Sequence, residues 1–321
     1  MARRSTSAGS ERERIALIAR LLAPEKKSRD VVLGIGDDAA IVRAHGLLVW
    51  TVDSAVEGVH FDLDWLDPKD IGYRATQAAV SDLAAMGARP LGAVSNLGLP
   101  KHFTKRDLER LLRGQAEAAR ELGCPIIGGN LARARELSIT TSALGSARTP
   151  LLRSGARAGD ELWLLGDVGL ARAGLLAFQA GRASNRKLAA AVRAFARPRA
   201  RLRDGLSLIG RAHAALDVSD GLAGDAGHLA EASGVGLVIS EARLRKALPH
   251  ALAGVAAELS RDPLELALFG GEDYALLATG PSRRRPRTAK VIGRVEAGRG
   301  ISLETREGRR SLGGGFDHFA R

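Results

Sequence analysis

The apolar positions of the chain fall into short blocks of two kinds, and the two kinds alternate from one end to the other. Ile15, Leu17, Ile18, Leu21 and Leu22 recur at helical spacing and predict an amphipathic helix over residues 11–23. A β-type run at 47–52 closes on Asp53. Asp67 followed by Pro68 reads as an N-cap with proline at the first helical position, opening a helix that runs to Met86 and stops at Gly87. A strand over 90–99, a helix over 105–122, a short strand from Pro125 into a glycine turn at Gly129, and a strand over 137–144 follow. A basic, turn-rich stretch at 149–160 interrupts the pattern and is read as the boundary between a domain at 1–148 and another at 149–321. Beyond it come a strand at 162–165, a helix after Gly169 and a helix-rich region to about Arg211. A strand at 216–219 feeds a helix over 220–233, followed by a strand at 235–239, a helix at 263–268, the pair Gly270-Gly271 and a strand at 274–279. Strands and helices alternate in both halves, so each half is expected to be an α/β or α+β unit.

Composition narrows the class. A chain of 321 residues with 45% hydrophobic and 26% charged residues is long enough for two cored domains. No run approaches the roughly 18 apolar residues of a membrane span, and the polar start mixes Arg with Glu, unlike a secretory or transit leader. With Cys124 as the single cysteine no disulfide can close within the chain, so a cytoplasmic location is expected. Cys124 sits between apolar neighbours and reads as a packing residue. The net charge of +12 invites a nucleic-acid reading, but only 4% of residues are aromatic, and the basic residues are scattered except at Arg283 to Arg285 with Arg287. Eight of the 48 basic residues are lysine, so arginine dominates. Nucleic acid is therefore not the expected partner; a basic surface serves phosphorylated small molecules equally well.

The acidic residues carry the chemistry. Asp37 and Asp38 follow Gly36 in a turn, Asp53 ends a strand, Asp217 and Asp220 flank a strand-to-helix junction, and Glu272 and Asp273 follow Gly270-Gly271. Each alone is explained by capping or turn formation. Asp82 is different. On the helix from Pro68 it shares a line with Ile71, Ala75, Ala78, Ala79 and Met86, with Arg74 off that line, so it is expected to point inward. An inward carboxylate needs a partner, and converging carboxylates are relieved by a hard divalent cation such as magnesium. Gly128-Gly129 and Ser219-Asp220-Gly221 are expected to offer backbone N–H groups to phosphate oxygens. Neither the glycine-rich Lys-Ser/Thr phosphate loop, the protein-kinase motifs, a nucleophile elbow nor a metalloprotease histidine pair occurs. Together these features point to a magnesium–nucleotide site.

Eight blocks carry a resemblance. They are Gly34-Ile35-Gly36-Asp37-Asp38-Ala39-Ala40; Asp53 through Glu57-Gly58-Val59-His60-Phe61; and Ser81-Asp82-Leu83-Ala84-Ala85-Met86-Gly87-Ala88. Next come Gly128-Gly129; Arg153-Ser154-Gly155-Ala156; Asp217-Val218-Ser219-Asp220-Gly221-Leu222; Gly270-Gly271-Glu272-Asp273-Tyr274; and Asp317-His318-Phe319. In this order the chain resembles the thiamine-monophosphate kinase family, within the superfamily of aminoimidazole ribonucleotide synthetase. The resemblance implies a two-domain fold with an N-terminal sheet domain at a homodimer interface and a C-terminal α/β domain. It implies direct in-line transfer of the γ-phosphoryl of ATP onto thiamine monophosphate, with no covalent catalytic residue.

By position, the resemblance assigns several magnesium ions to Asp38, Thr51, Val52, Asp53, Asp82, Asn130, Asp217 and Asp220. It assigns ATP to Gly129, Asn130, Arg153 and Ser219, and the thiamine substrate to His60, Glu272 and Gly313. Three positions depart from the family pattern. Val52 replaces Thr and leaves only a backbone carbonyl; Asn130 replaces Asp and carries no charge; Gly313 replaces a Trp that covers the thiamine, a surface that Phe316 or Trp65 would have to supply instead. An enzyme of the same superfamily with another acceptor, and a weakly active nucleotide or thiamine-phosphate sensor, are the alternative readings.

Overall fold

The computed structural model describes residues 11–23, 28–35 and 39–313. Two compact units are present: residues 1–80 with 89–148, and residues 81–88 with 149–321. The first unit runs α1 (Glu11–Leu22), β1 (Val31–Leu33), β2 (Ile41–Val42), β3 (Leu47–Val56), α2 (Pro68–Ala85), β4 (Arg89–Leu99), α3 (Lys105–Leu122), β5 (Ile126–Arg133) and β6 (Ser138–Ala147), with the end of α2 belonging to the second unit. A small β1–β2 ladder stands apart from a four-stranded sheet of order β3-β6-β4-β5. In that sheet β4 and β5 are parallel and the other neighbours antiparallel.

Helix α3 shows how local sequence sets an element. Thr104 and Asp107 form a reciprocal capping box, and Gly123 ends the helix in the left-handed conformation, accepting no Cβ penalty. One apolar face, with Leu108, Leu111 and Leu112, is buried. Helices α2 and α3 approach backbone to backbone. A Cβ at Gly72 would lie 2.1 Å from the Leu111 carbonyl oxygen, and one at Gly114 would lie 1.8 Å from that of Lys69. Any side chain at either glycine would force the pair apart.

The second unit runs β7 (Glu161–Leu165), α4 (Leu170–Gln179), α5 (Ala189–Ala196), α6 (Leu202–Leu208), β8 (Ala214–Val218), α7 (Leu222–Ser233), β9 (Gly236–Ser240), α8 (Glu241–Ala247), α9 (His250–Leu259), α10 (Pro263–Phe269), β10 (Ala275–Gly280), β11 (Lys290–Glu296), β12 (Gly300–Thr305) and β13 (Gly308–Leu312). Its seven-stranded sheet has the order β13-β12-β9-β11-β7-β10-β8, and only β12–β9 is parallel. The core joins the sheet residues Leu162, Leu164, Leu216, Val218, Leu237, Ile239 and Leu277 to α7 through Leu222, Ala226 and Leu229. The last turns of α2 pack into this unit: a Cβ on Gly205 of α6 would lie 2.0 Å from the Ala84 carbonyl oxygen, and Leu151 N–H donates to Met86 O.

Two sequence expectations change here. Asp53 does not end its strand, because β3 continues to Val56. Gly128 and Gly129 do not form a turn; they lie inside β5, which continues to Arg133. No expectation from the sequence covered the strands β11 to β13 or helices α8 and α9; α9 is apolar at most of its positions, and β11 lies inside the sheet. The arginines of the basic segment 283–287 are exposed, with Arg284 donating to Gly210 O at 3.2 Å and Arg285 to Glu161 at 3.2 Å.

Candidate active site

The densest chemistry lies in the second unit, where β8 ends and α7 begins. Asp217 is the next-to-last residue of β8 and is 7% exposed. Ser81, fully buried on α2, donates its hydroxyl to Asp217 Oδ2 at 2.6 Å. Burial, followed by the negative charge of Asp82, pushes the Asp217 carboxyl up to about 6; the Ser81 hydrogen bond and the charge of Arg153 oppose the rise. One dipeptide, Ser81-Asp82, thus supplies both a hydrogen-bond donor and a second carboxylate to the same acid.

Asp82 does not sit where the apolar line predicted. Helix α2 is buried on nearly every side, Arg74 included at 3% exposure, and Ala78, Asp82 and Met86 form its one half-exposed line. A small-residue stripe marks the core side only when the opposite side faces water. On this helix, embedded nearly all round, it marks instead the half-exposed line that Asp82 shares with Ala78 and Met86.

The turn Ser219-Asp220-Gly221 is fixed from two sides. Asp225 Oδ2, in the first turn of α7, accepts the N–H groups of Ser219 and Asp220, both at 3.0 Å. From the other side Glu272 N–H donates to Ser219 O at 2.7 Å and Tyr274 N–H to Val218 O at 2.9 Å. Gly221 has φ of 103°, and a Cβ there would lie 2.6 Å from Gly270 O. Glu272 and Tyr274 themselves hold positive φ, 64° and 50°, a strained pair maintained by these contacts. The Ser219 and Asp220 amides expected to face phosphate therefore face Asp225 instead. Beside the glycine pair, Asp273 accepts from Gly169 N at 2.8 Å and Ala171 N at 3.2 Å and so caps the start of α4.

Asp220 and Gly313 line one groove of about 970 Å³ in this unit, with His228, Glu231, Arg299 and the glycines of α7 along its wall. Among the described residues, none lies within 4 Å of where a Cβ on Gly313 would be.

In the first unit the strand register sorts the remaining candidates. Asp53, Thr141, Ser95 and Gly129 form one row across the sheet, and Ser54, Thr140, Asn96 and Asn130 the next. Adjacent rows face opposite ways. Thr51 and Asp53 thus share the face that α3 covers, where Gln115 donates to Ser95 at 2.9 Å. The side chains of Val52 and Asn130 lie on the other face, where Asn130 donates to Asn96 at 3.0 Å. Gly129 is required by packing, since a Cβ would lie 1.9 Å from Ser95 O. His60 is half-buried, and its Nδ1 accepts the Val56 N–H at 3.2 Å, which leaves Nε2 as the ring's other functional nitrogen. Asp38 lies outside the described residues, as do Phe316 and the Asp317-His318-Phe319 block.

Among the described residues, no three His, Cys, Asp or Glu side chains are already gathered as a metal cage. The donor set nonetheless fits a hard cation. Asp217 and Asp82 are oxygen donors whose charges repel, and burial makes that repulsion costly to leave uncompensated.

Comparison with known proteins identifies the family. Residues 36–147 match the family described as AIR synthase related protein, N-terminal domain, and residues 157–306 its C-terminal domain. The thiamine-monophosphate kinase of Mycobacterium tuberculosis is 38% identical over 286 residues, covering 87% of this chain and 84% of that protein. The chain belongs to the thiamine-monophosphate kinase family. Two solved structures share its fold. The thiamine-monophosphate kinase of Stenotrophomonas maltophilia K279a has a TM-score of 0.81 at 34% identity, covering 90% of this chain and 96% of that one. AaThiL complexed with AMPPCP and TMP has a TM-score of 0.79 at 31% identity, covering 98% and 100%. This is the two-domain AIR synthase-like fold that the family resemblance implied.

Within this thiamine-monophosphate kinase fold, sequence reading passed over Ser81, Asp225 and the capping role of Asp273. Ser81 and Asp225 look like ordinary helix residues, and only their contacts with Asp217 and with the turn distinguish them. A serine directly before the singled-out Asp82 was the one available signal. Cys124 is fully buried and its thiol is pushed up to about 12 by burial, which makes it inert at neutral pH. Among the described residues, no helix is long and apolar enough to cross a membrane.

Proposed function

We propose that this protein transfers the γ-phosphoryl group of ATP directly onto the phosphate of thiamine monophosphate, giving thiamine diphosphate. The observation that carries this reading is the end-to-end match to thiamine-monophosphate kinases, joined to a buried Asp217 that is held by Ser81 and faced by Asp82.

The residues proposed to hold magnesium are Asp38, Thr51, Asp53, the Val52 carbonyl and Asn130 in the first unit, and Asp82, Asp217 and Asp220 in the second. Magnesium, when bound, would neutralise the phosphate oxygens and align them for in-line displacement. The chain's own groups then bind and orient. Arg153 is exposed on a loop whose backbone is fixed, with Ser233 donating to its carbonyl at 3.0 Å; it is proposed to meet ATP together with Ser219, Gly129 and Asn130. His60, Glu272 and the Gly313 end of the groove are proposed to meet the thiamine substrate. Ser81 keeps one oxygen of Asp217 occupied, so that the second oxygen is the one offered outward. No side chain has to form a covalent intermediate, in keeping with the buried, inert thiol of Cys124.

A homodimer through the first unit is part of the proposal. The outer face of its sheet carries Leu48, Trp50, Val52 and Val94, with Trp50 78% and Val52 63% exposed. An apolar sheet face of that kind suits a second copy of the same surface. A cytoplasmic location is proposed with it, consistent with the single free cysteine.

The test is a chromatographic assay of purified protein with ATP, magnesium and thiamine monophosphate. Magnesium-dependent thiamine diphosphate is the expected product. Intact ATP binding with no such product would sink the acceptor assignment. It would favour the second reading, another acceptor, which the open space at Gly313 supports.

A further inference from the structure

Asp225 is 4% exposed and lies close to both Asp217 and Asp220, yet one of its oxygens is already committed. Its Oδ2 accepts the amides of Ser219 and Asp220, each at 3.0 Å, while its own N–H donates to Gly221 O at 3.0 Å as the first turn of α7. On the opposite side of the turn, Ser219 O is taken by the Glu272 N–H. Gly221 and Gly271 admit no side chain, with prospective Cβ contacts of 2.6 Å to Gly270 O and 2.8 Å to Ser219 O. The Ser219 and Asp220 amides are therefore satisfied from inside the protein. What these two residues keep for a ligand is the Ser219 hydroxyl and the Asp220 carboxylate.

We infer that Asp225 is a positioning residue: it occupies the amides of the turn, so that Ser219 and Asp220 present side chains rather than backbone donors to the nucleotide and its cations. The inference rests on the magnesium role proposed for Asp217 and Asp220. It differs from a ligand role for Asp225 in what it requires, which is an acceptor oxygen at a fixed place and not a negative charge. Asparagine keeps that oxygen and loses the charge. Glutamate keeps the charge and moves the oxygen by one methylene.

Asp225→Asn and Asp225→Glu separate the two roles. The readout is Mn²⁺ binding followed by electron paramagnetic resonance on the full-length protein, with no nucleotide or acceptor present, at temperatures below each variant's measured melting midpoint. Asp225→Glu is expected to weaken Mn²⁺ roughly tenfold, as loss of an outer-shell partner does, while Asp225→Asn stays close to the parent. Asp225→Asn binding as weakly as Asp225→Glu, or more weakly, would make Asp225 a ligand and overturn the inference, as would two variants that both bind like the parent. A parent that binds no Mn²⁺ would overturn the magnesium reading and this inference with it. A parent that binds Mn²⁺ but makes no thiamine diphosphate would sink only the acceptor assignment.

Discussion

The four-stranded sheet of the first unit and the β8–α7 turn of the second unit position polar groups in different ways. In the sheet, position follows strand register: Thr51 and Asp53 face one way and Val52 and Asn130 the other, because successive side chains alternate. Side-chain bonds add to the pairing, with Ser142 donating to Thr51 O and Asn130 to Asn96, each at 3.0 Å, and a register shift of one residue would exchange the two sets. In the turn, position follows enclosure. Asp225, Glu272 and the prohibited Cβ positions at Gly221 and Gly271 hold the backbone from several sides, and Glu272 and Tyr274 in the facing segment carry strained positive φ. The lesson is that a residue in the turn tolerates almost no change of backbone, whereas an exposed side chain of the outer sheet face, such as Val52, can be exchanged at small cost, Gly129 being held by the Ser95 carbonyl.

Asp82→Asn tests the stronger side of that contrast and has the largest expected effect. It removes a proposed ligand while relieving its repulsion of Asp217. Catalytic efficiency should fall roughly a hundredfold or more while the melting midpoint holds or rises. Near-normal turnover would remove Asp82 from the metal set.

Asn130→Asp probes the sheet and should act more gently. The Asn130 donor to Asn96 is lost, at a cost of about 1 kcal/mol or less at this exposed position. A new charge should lower the magnesium concentration needed for half-maximal activity. An unchanged magnesium requirement would show that Asn130 holds no ion and serves the sheet face alone.

Asp273→Asn is the smallest and concerns stability. Burial raises the Asp273 carboxyl to about 7, against the two backbone donors that stabilise its charge. Because the folded-state value lies above the unfolded one, the folded chain keeps this proton after the unfolded chain has released it. The site's contribution to stability therefore declines as pH rises from the ordinary carboxylate range to about 7. Thermal midpoints measured across that window should fall less steeply for Asp273→Asn than for the parent; parallel curves would show that Asp273 keeps an ordinary affinity for its proton.

Much of the fold was legible because periodicity and punctuation are local properties. Thr104, Gly123, Asp67-Pro68 and Gly87 announce helix limits through capping chemistry that needs no tertiary partner. The strands β11 and β12 were not legible, because β7 and β9, with which they pair, lie far away in the chain; β13 pairs with its neighbour β12. The same division holds for the candidate site. Asp217 and Asp220 stood out by their place at a strand-to-helix junction. Asp82 stood out by its helical spacing, although the reason was mistaken: the line it lies on is the open one.

By itself, then, the sequence determined the alternation of strands and helices, the family, and which acidic residues merit attention, since all three are written in spacing and in residue type. Only the tertiary structure decided which sheet face carries Asn130, that the Ser219 and Asp220 amides belong to Asp225, and that Ser81 holds Asp217. Ser81 meets Asp217 across 136 positions of chain, and Asp225 meets amides only five and six residues away but in a turn that neighbouring segments shape; a hydrogen bond reads distance in space rather than distance in sequence.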